Sequence, residues 1–257
     1  MHPKELREKV RNGEFNGHTS GMCSDYVQAN LVIVPQKYAF DFLLFAIRNP
    51  KSCPIIDVIE AGEIESALAP GSDIRRDIPQ YYVYENGHLK EKLRDLSPIW
   101  KDDFVSFLIG CSFTFENQLL KENVSLKHIE QNKNVAMYIT NMKTKQAGPF
   151  SGPVVVSMRP IKNELVQKAI DVTAQFPNMH GAPVHVGSPA DIGIQEVSKP
   201  DFGEYVEVDE GETPVFWACG VTPQSVAIHS KIPYVITHAP GHMFVTDLKN
   251  DDFLKQQ

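Results

Sequence analysis

Three short apolar runs in this chain each end on a residue able to do chemistry. Phe104-Val105-Ser106-Phe107-Leu108-Ile109 leads into Gly110-Cys111-Ser112. Val215-Phe216-Trp217 leads into Ala218-Cys219-Gly220-Val221-Thr222-Pro223, and Tyr234-Val235-Ile236 into Thr237-His238-Ala239-Pro240-Gly241-His242. Runs of this length, aromatic and β-branched and bounded by Gly and Pro, predict buried strands. In open α/β sheets ligands sit in the crevice beyond the carboxyl ends of such strands. Two thiols and an imidazole delivered to one sheet edge point to an enzyme pocket.

The stretch from Gly110 to Glu116 has the pattern of a strand-to-helix junction. A helix N-terminus offers free N–H groups and a positive dipole end to a carboxylate or phosphate, and it lowers the pKa of a cysteine placed there. The alternative is that Ser112 or Thr114 caps the helix while Cys111 packs in the core. Thr222-Pro223 repeats the arrangement, a capping hydroxyl followed by proline at the first helical position. Arg159, at the expected end of a strand and before Pro160, suits two-pronged recognition of a carboxylate, or a salt bridge. His180 and His185 flank Gly181-Ala182-Pro183-Val184, as His238 and His242 flank Ala239-Pro240-Gly241. Pro and Gly exclude a helix there, so the argument for zinc from two histidines four apart lapses. Acid–base work, loop hydrogen bonding and a metal site all stay open for these four side chains.

The elements that must position these residues follow from pattern. Residues 3–12 predict a polar helix, Asn30-Leu31-Val32-Ile33-Val34 a buried strand, and Tyr38 to Arg48 a helix stopped by Asn49-Pro50. Residues 54–59 read as a strand, and 60–79 as an excursion with little regular structure. Tyr81 to Tyr84 followed by Asn86-Gly87 is a hairpin signal. Val154 to Met158 precedes a helix from about Lys162 to Ala174. The expected fold is α/β, a mixed sheet flanked by helices with a smaller inserted α+β domain. Residues 1–110 and 177–257 form the main domain and 111–176 the insert.

The 257 residues are 42% hydrophobic and 22% charged, enough for a sizeable core. A net charge of −7 argues against nucleic acid or an anionic membrane as partner. Four scattered cysteines make neither a disulfide framework nor a zinc knuckle. With no signal-like or membrane-spanning run, a soluble cytoplasmic protein is expected. There is no G-x-x-x-x-G-K-[ST], G-x-G-x-x-G or G-x-S-x-G pattern, which disfavours ATP activation and hydride transfer.

The same segments resemble the D-glutamate cyclase family, whose bacterial single-domain members are known as hydro-lyases. The likeness runs through Gly17-His18-Thr19-Ser20-Gly21-Met22, Tyr26-Val27-Gln28-Ala29-Asn30-Leu31 and Ala69-Pro70-Gly71-Ser72-Asp73-Ile74-Arg75. It continues through Phe107 to Phe113, Gly152 to Pro160, His180 to His185, Pro214 to Pro223 and Thr237 to Met243. Cys23-Ser24-Asp25 departs from the family's small residues and Pro-Gly turn. The resemblance implies an α/β fold of two parts and dehydration of D-glutamate to 5-oxo-D-proline. In that reaction the α-amine attacks the γ-carboxyl carbon and water leaves, which asks for a general base and a general acid of near-neutral pKa. The N–H groups after Cys111 and Cys219 are the expected oxyanion donors. His238, His242, Cys111 and Glu116 are the expected catalytic residues. Ser20, Ser112, Arg159, His180, His185 and Thr222 are the expected substrate contacts. A small carboxylate is the expected partner, with no cofactor, no metal ligand set and a homodimer as a possible assembly. A metal-assisted hydratase or hydrolase and a non-catalytic carboxylate-binding module are the alternative readings.

Overall fold

The computed structural model describes residues 1–253. The chain begins with α1 (Pro3–Arg11), β1 (Tyr26–Pro35), α2 (Gln36–Arg48), β2 (Ile55–Ile59), β3 (Tyr81–Glu85), β4 (His88–Leu93) and β5 (Phe104–Gly110). It continues with α3 (Phe113–Lys121), α4 (Lys127–Glu130), β6 (Ala136–Lys143), β7 (Pro153–Lys162), α5 (Val166–Ala174) and β8 (His185–Val186). It ends with β9 (Glu212–Ala218), α6 (Thr222–Ser230), β10 (Val235–His238) and β11 (Phe244–Lys249). Asn86 and Gly87 both take positive φ, 51° and 83°, as the tight turn between β3 and β4 requires. Residues 60–79 form the irregular excursion their prolines and glycines predict. No helix among the described residues is long and apolar enough to cross a membrane.

The α/β class holds, with one correction to the expected mixed sheet. Seven strands form one sheet in the order β2-β5-β1-β10-β3-β4, with β11 pairing β1 beyond β10. Four form a second, β6-β7-β9-β8, and every pairing in both is antiparallel. Strand–helix alternation suggests parallel crossovers, but β1 sits mid-sheet and runs against both neighbours, β5 and β10. The expected insert of residues 111–176 supplies β6 and β7. The second sheet takes β8 and β9 from beyond it, because β6 covers only one edge of β7.

β1 is buried on both faces. Val32 and Val34, with Phe107 and Ile109 of β5, pack on Phe42 and Phe45 of α2 and on Val226 of α6. Leu31 and Ile33, with Leu108 and Ile236, pack on Ala69, Ile74 and Ile78 of the excursion. A strand covered twice reads as an unbroken apolar run, which is why the sequence signals it so clearly. Between the sheets, Val27 of β1 shares a core with Phe115 and Leu119 of α3, Val172 of α5 and Trp217 of β9. β7 runs on past Arg159, which lies mid-strand rather than at its end. Pro160 is tolerated there because it faces Pro214 beyond the last residue paired with β6.

The three strand ends meet. β5 and β10 both oppose β1 and therefore run the same way, so Gly110 faces Ala29 while Thr237 faces Val32. The third end arrives from the other sheet. Cys219 donates its N–H to Val155, and Gly220 packs directly on the Asn30 amide. Asn30 in turn donates through Nδ2 to the carbonyls of Gly110 (2.8 Å) and Ile109 (3.3 Å). A Cβ at Gly220 would overlap that amide. Gly220→Ala is therefore expected to destabilise the fold by about 1–3 kcal/mol. Urea midpoints check this, and an unchanged midpoint would show that the contact between the sheets is loose.

Candidate active site

Arg159 is wholly buried, its guanidinium 5.3 Å from the ring centres of both Phe115 and Trp217. Its charge is met by Glu116 of α3, whose Oε1 accepts from Nε (2.9 Å) and from Nη2. Ser157 and Ser112 take further donors, each at 3.0 Å. Ser112 is thereby drawn away from capping: α3 starts without a side-chain cap bond. His128 of α4 brings Nε2 to 3.2 Å from the same Glu116 oxygen, close enough for attraction but out of line for a hydrogen bond. Burial pushes the Glu116 carboxyl up, but Arg159 and then His128 pull harder and hold it at about 2. Glu116 is a permanent carboxylate at neutral pH, and Arg159 is a buried counter-ion with four of its five N–H donors engaged.

The cysteines correct an expectation. Burial raises Cys111 to about 12, and the amide of Phe113 and the charge of Arg159 do not offset it. Cys219 rises to about 11 for the same reason. Both stay thiols, because lost hydration outweighs a short helix dipole. The tight turns take up part of the expected oxyanion donor set: Thr114 N–H goes to the Cys111 carbonyl, Thr222 N–H to the Cys219 carbonyl, and Val221 N–H to Cys219 Sγ at 3.5 Å. Thr222 does not cap α6; its Oγ1 accepts from the Val155 amide (3.1 Å) and donates to its carbonyl (3.3 Å).

The four loop histidines do not converge. His180 donates Nδ1–H to the Lys51 carbonyl at 2.6 Å, and His185, stacked beside Phe216, contacts the Ser188 carbonyl at 2.7 Å. His238 fills a gap in the ladder. β1 pairs with β11 up to Ala29 and with β10 from Val32, and between them Leu31 N–H donates to His238 Nδ1 at 3.0 Å. That bond leaves the His238 proton on Nε2, which is buried without a partner. Burial lowers both His180 and His238 to about 4, so the near-neutral titration expected of His238 is replaced by a neutral imidazole with a donor to offer. Among the described residues, no three His, Cys, Asp or Glu side chains are grouped to hold a metal ion.

His242 is different. It is half-buried, its Nδ1 lies 3.0 Å from the Pro240 carbonyl, and its ring centre is 4.5 Å from that of exposed His18. Desolvation lowers its pKa. Thr19 clamps this pair of loops together: its N–H donates to the Gly241 carbonyl (2.8 Å), and its Oγ1 accepts from Met243 N–H (2.9 Å). Gly241 has φ +79°, and a Cβ there would strike His18 Nδ1.

Beside this clamp lies a cavity of about 210 Å³, whose walls include Ser20, Gln28, Phe113, Glu116, Asn117 and Lys133. Lys133 brings an ammonium tethered to the Tyr205 carbonyl at 2.9 Å. Asn134, the next residue, reaches the same Gly241 surface that His18 covers. Of the expected site residues, Ser20 and Glu116 line the cavity, and Ser112 and Arg159 lie behind Glu116; His242 is not in its lining and sits by the Thr19 clamp, next to Ser20 in the chain. Cys111, His180, His185, His238 and Thr222 do not line it. His18, Gln28, His128 and Lys133 carry no local signal that singles them out. The first two lie within the quoted Gly17–Met22 and Tyr26–Leu31 segments, where their neighbours hide them.

Residues 105–247 match the family model described as D-glutamate cyclase. Two proteins named "Putative hydro-lyase", from Thermoanaerobacter sp. (strain X514) and Stutzerimonas stutzeri (strain A1501), are each 55% identical over 252 residues, covering 98% of this chain and 95% of theirs. A third of that name, from Geobacillus kaustophilus (strain HTA426), is 54% identical over 98% of this chain and 96% of its own.

The buried ion pair makes a stability prediction. Arg159→Met strands the Glu116 carboxylate and is expected to cost about 3–5 kcal/mol, with Glu116→Gln added to it recovering part of the loss. The Glu116 pKa falls on folding, from 4.5 to about 2, so the unfolded chain binds more protons between those values. The stabilisation is complete above the unfolded value and is lost as pH falls towards 2. Denaturant midpoints over that window should rise with pH more steeply in wild type than in Glu116→Gln. Parallel curves would show that the carboxylate is not held down by its neighbours.

Proposed function

The chain belongs to the D-glutamate cyclase family, and from that membership we propose that it is a hydro-lyase that dehydrates D-glutamate, or a related small acidic substrate, to 5-oxo-D-proline. The observation that carries this reading is a cavity whose walls hold a fixed carboxylate (Glu116) and an ammonium (Lys133) and end at Ser20, the residue after the Thr19 clamp that joins the His18 and His242 loops.

The reaction forms a C–N bond between the α-amine and the γ-carboxyl carbon, then breaks a C–O bond and releases water. The nitrogen must give up two protons, one before attack and one after it, and the departing oxygen must gain both to leave as water. Glu116 cannot supply either, since its pKa is held at about 2; its charge instead holds the ammonium in place. Lys133 faces the carboxylate and the negative charge that develops on its oxygen during attack. His242, whose pKa desolvation lowers, is a free base at neutral pH and takes the amine proton. The imidazolium so formed returns that proton to the leaving oxygen; after attack His242 takes the second proton from the newly bonded nitrogen and passes it to the same oxygen, which departs as water. Cys111 takes no covalent part, because a thiol held near 12 is not a nucleophile at neutral pH.

Incubation with D- and L-glutamate, followed by mass spectrometry for loss of one water, is the direct test. His242→Gln should reduce kcat by about 10²–10⁴ with KM little changed. The rate should climb with pH through a value below the free imidazole pKa of ~6.5, since His242 works as the neutral base. Tight binding of D-glutamate without any turnover would instead identify a carboxylate-binding module.

A further inference from the structure

Between β8 and β9 the chain makes a long strap that returns along the open edge of β6. Phe202 exchanges both backbone hydrogen bonds with Met137 (2.9 and 3.1 Å), and the Asp201 carboxylate accepts from Ile139 N–H at 2.7 Å. Gly203 makes so close an approach possible. It has φ +74°, and a Cβ there would overlap the Val135 carbonyl oxygen. Beyond Gly203 the strap grips the segment that walls the cavity at three points. Glu204 N–H donates to the Asn134 carbonyl (3.1 Å), and its Oε2 accepts from Asn134 N–H (3.0 Å). The Tyr205 carbonyl accepts from Lys133 Nζ at 2.9 Å. The Glu207 carbonyl and the Asp209 carboxylate accept from Lys127 Nζ on α4, at 3.0 and 2.7 Å.

The two lysines are held to different ends. Lys127 is neutralised by Asp209 and Glu212. Lys133 meets a neutral carbonyl and makes no ion pair among the described residues, though it belongs to the cavity wall with Asn132. An ammonium has three donors, so two of them and the full charge are left for an anion. A lysine stem is flexible, and ordering it when a ligand arrives costs conformational entropy. A tether made beforehand removes that cost from binding. Building on the function proposed above, we propose that Gly203 is a positioning residue: by seating the strap on β6 it brings the Tyr205 carbonyl to Lys133 and holds that ammonium ready for a carboxylate of the substrate. Gly203 itself is not in the cavity wall and acts through Lys133.

A double-mutant cycle read by titration calorimetry with glutarate, a dicarboxylate that has no amine to react, tests this on the full chain. Lys133→Met should weaken binding about tenfold to a hundredfold, the range of a hydrogen bond to a charged group. Gly203→Ala should weaken it about threefold to tenfold, as expected when one long side chain must be ordered on binding. In the double variant the Gly203 effect should vanish, leaving the affinity of Lys133→Met alone. With D-glutamate as substrate, Gly203→Ala should raise KM by the same factor and leave kcat near wild type. Effects that add in full, an unchanged affinity in either single variant, or a kcat that falls with the affinity each overturn the inference. Should Gly203→Ala fail to fold, Glu204→Ala, which loosens the next grip without backbone strain, takes its place in the cycle with the same outcomes deciding. A wild-type protein that does not bind glutarate also overturns the inference, whereas the proposed function stands or falls separately on turnover of D-glutamate.

Discussion

A guanidinium that water cannot reach has to be neutralised by whatever packs around it, and Arg159 imposes that demand at the junction of the two sheets. It stands mid-strand in β7, and its counter-ion comes from α3, the helix that follows β5 of the other sheet. One ion pair therefore fixes the position of a helix relative to a sheet that the helix does not belong to. Phe115 and Trp217 enclose the charge from two sides, which excludes water and strengthens the attraction. The same constraint prepares the cavity. Glu116 faces it as an ionised carboxylate because Arg159 lies behind it, and no proton from solvent is needed to set that state.

The edge where the strands end is crowded for a second reason. β1 exchanges partners halfway along, from β11 to β10, and the intervening loop of residues 239–243 has to leave the sheet and return. His238 takes up the amide that the departing backbone would have satisfied. The loop so expelled lands on Thr19 and carries His242 against His18. His238 and His242 look equivalent as members of one motif, yet one completes a ladder and the other is half-buried beside a second imidazole.

Much of this architecture was legible in the sequence. Strand ends at Gly110, Ala218 and Thr237, the hairpin at Asn86-Gly87 and the irregular excursion at 60–79 follow from local rules of burial and turn geometry. The family resemblance found the segments that build the site. What escaped depends on distant partners. Pro160 reads as a strand terminator, because nothing local shows that Pro214 lies opposite it. Cys111 reads as an activated thiol, because burial cannot be measured from its neighbours in the chain. Ser112 reads as a cap, though Arg159, 47 residues away, claims its hydroxyl.

Two contacts join the two ends of the described chain. Thr19 is clamped to Gly241 across 222 positions, and Arg7 to Asp247 across 240. On the ribosome a chain emerges from its N-terminus, so β1 is among the first strands made and its partners β10 and β11 among the last. Through most of synthesis the edge of β1 that faces them has no native cover, and a bare apolar edge is what holding chaperones bind and aggregates grow from. Once those strands arrive, one event shields the edge and seats the Thr19 loop on Gly241. A nascent chain that has not yet made β10 carries a bare edge and an unseated loop, and cellular quality control meets it as an incompletely folded chain rather than a weak enzyme.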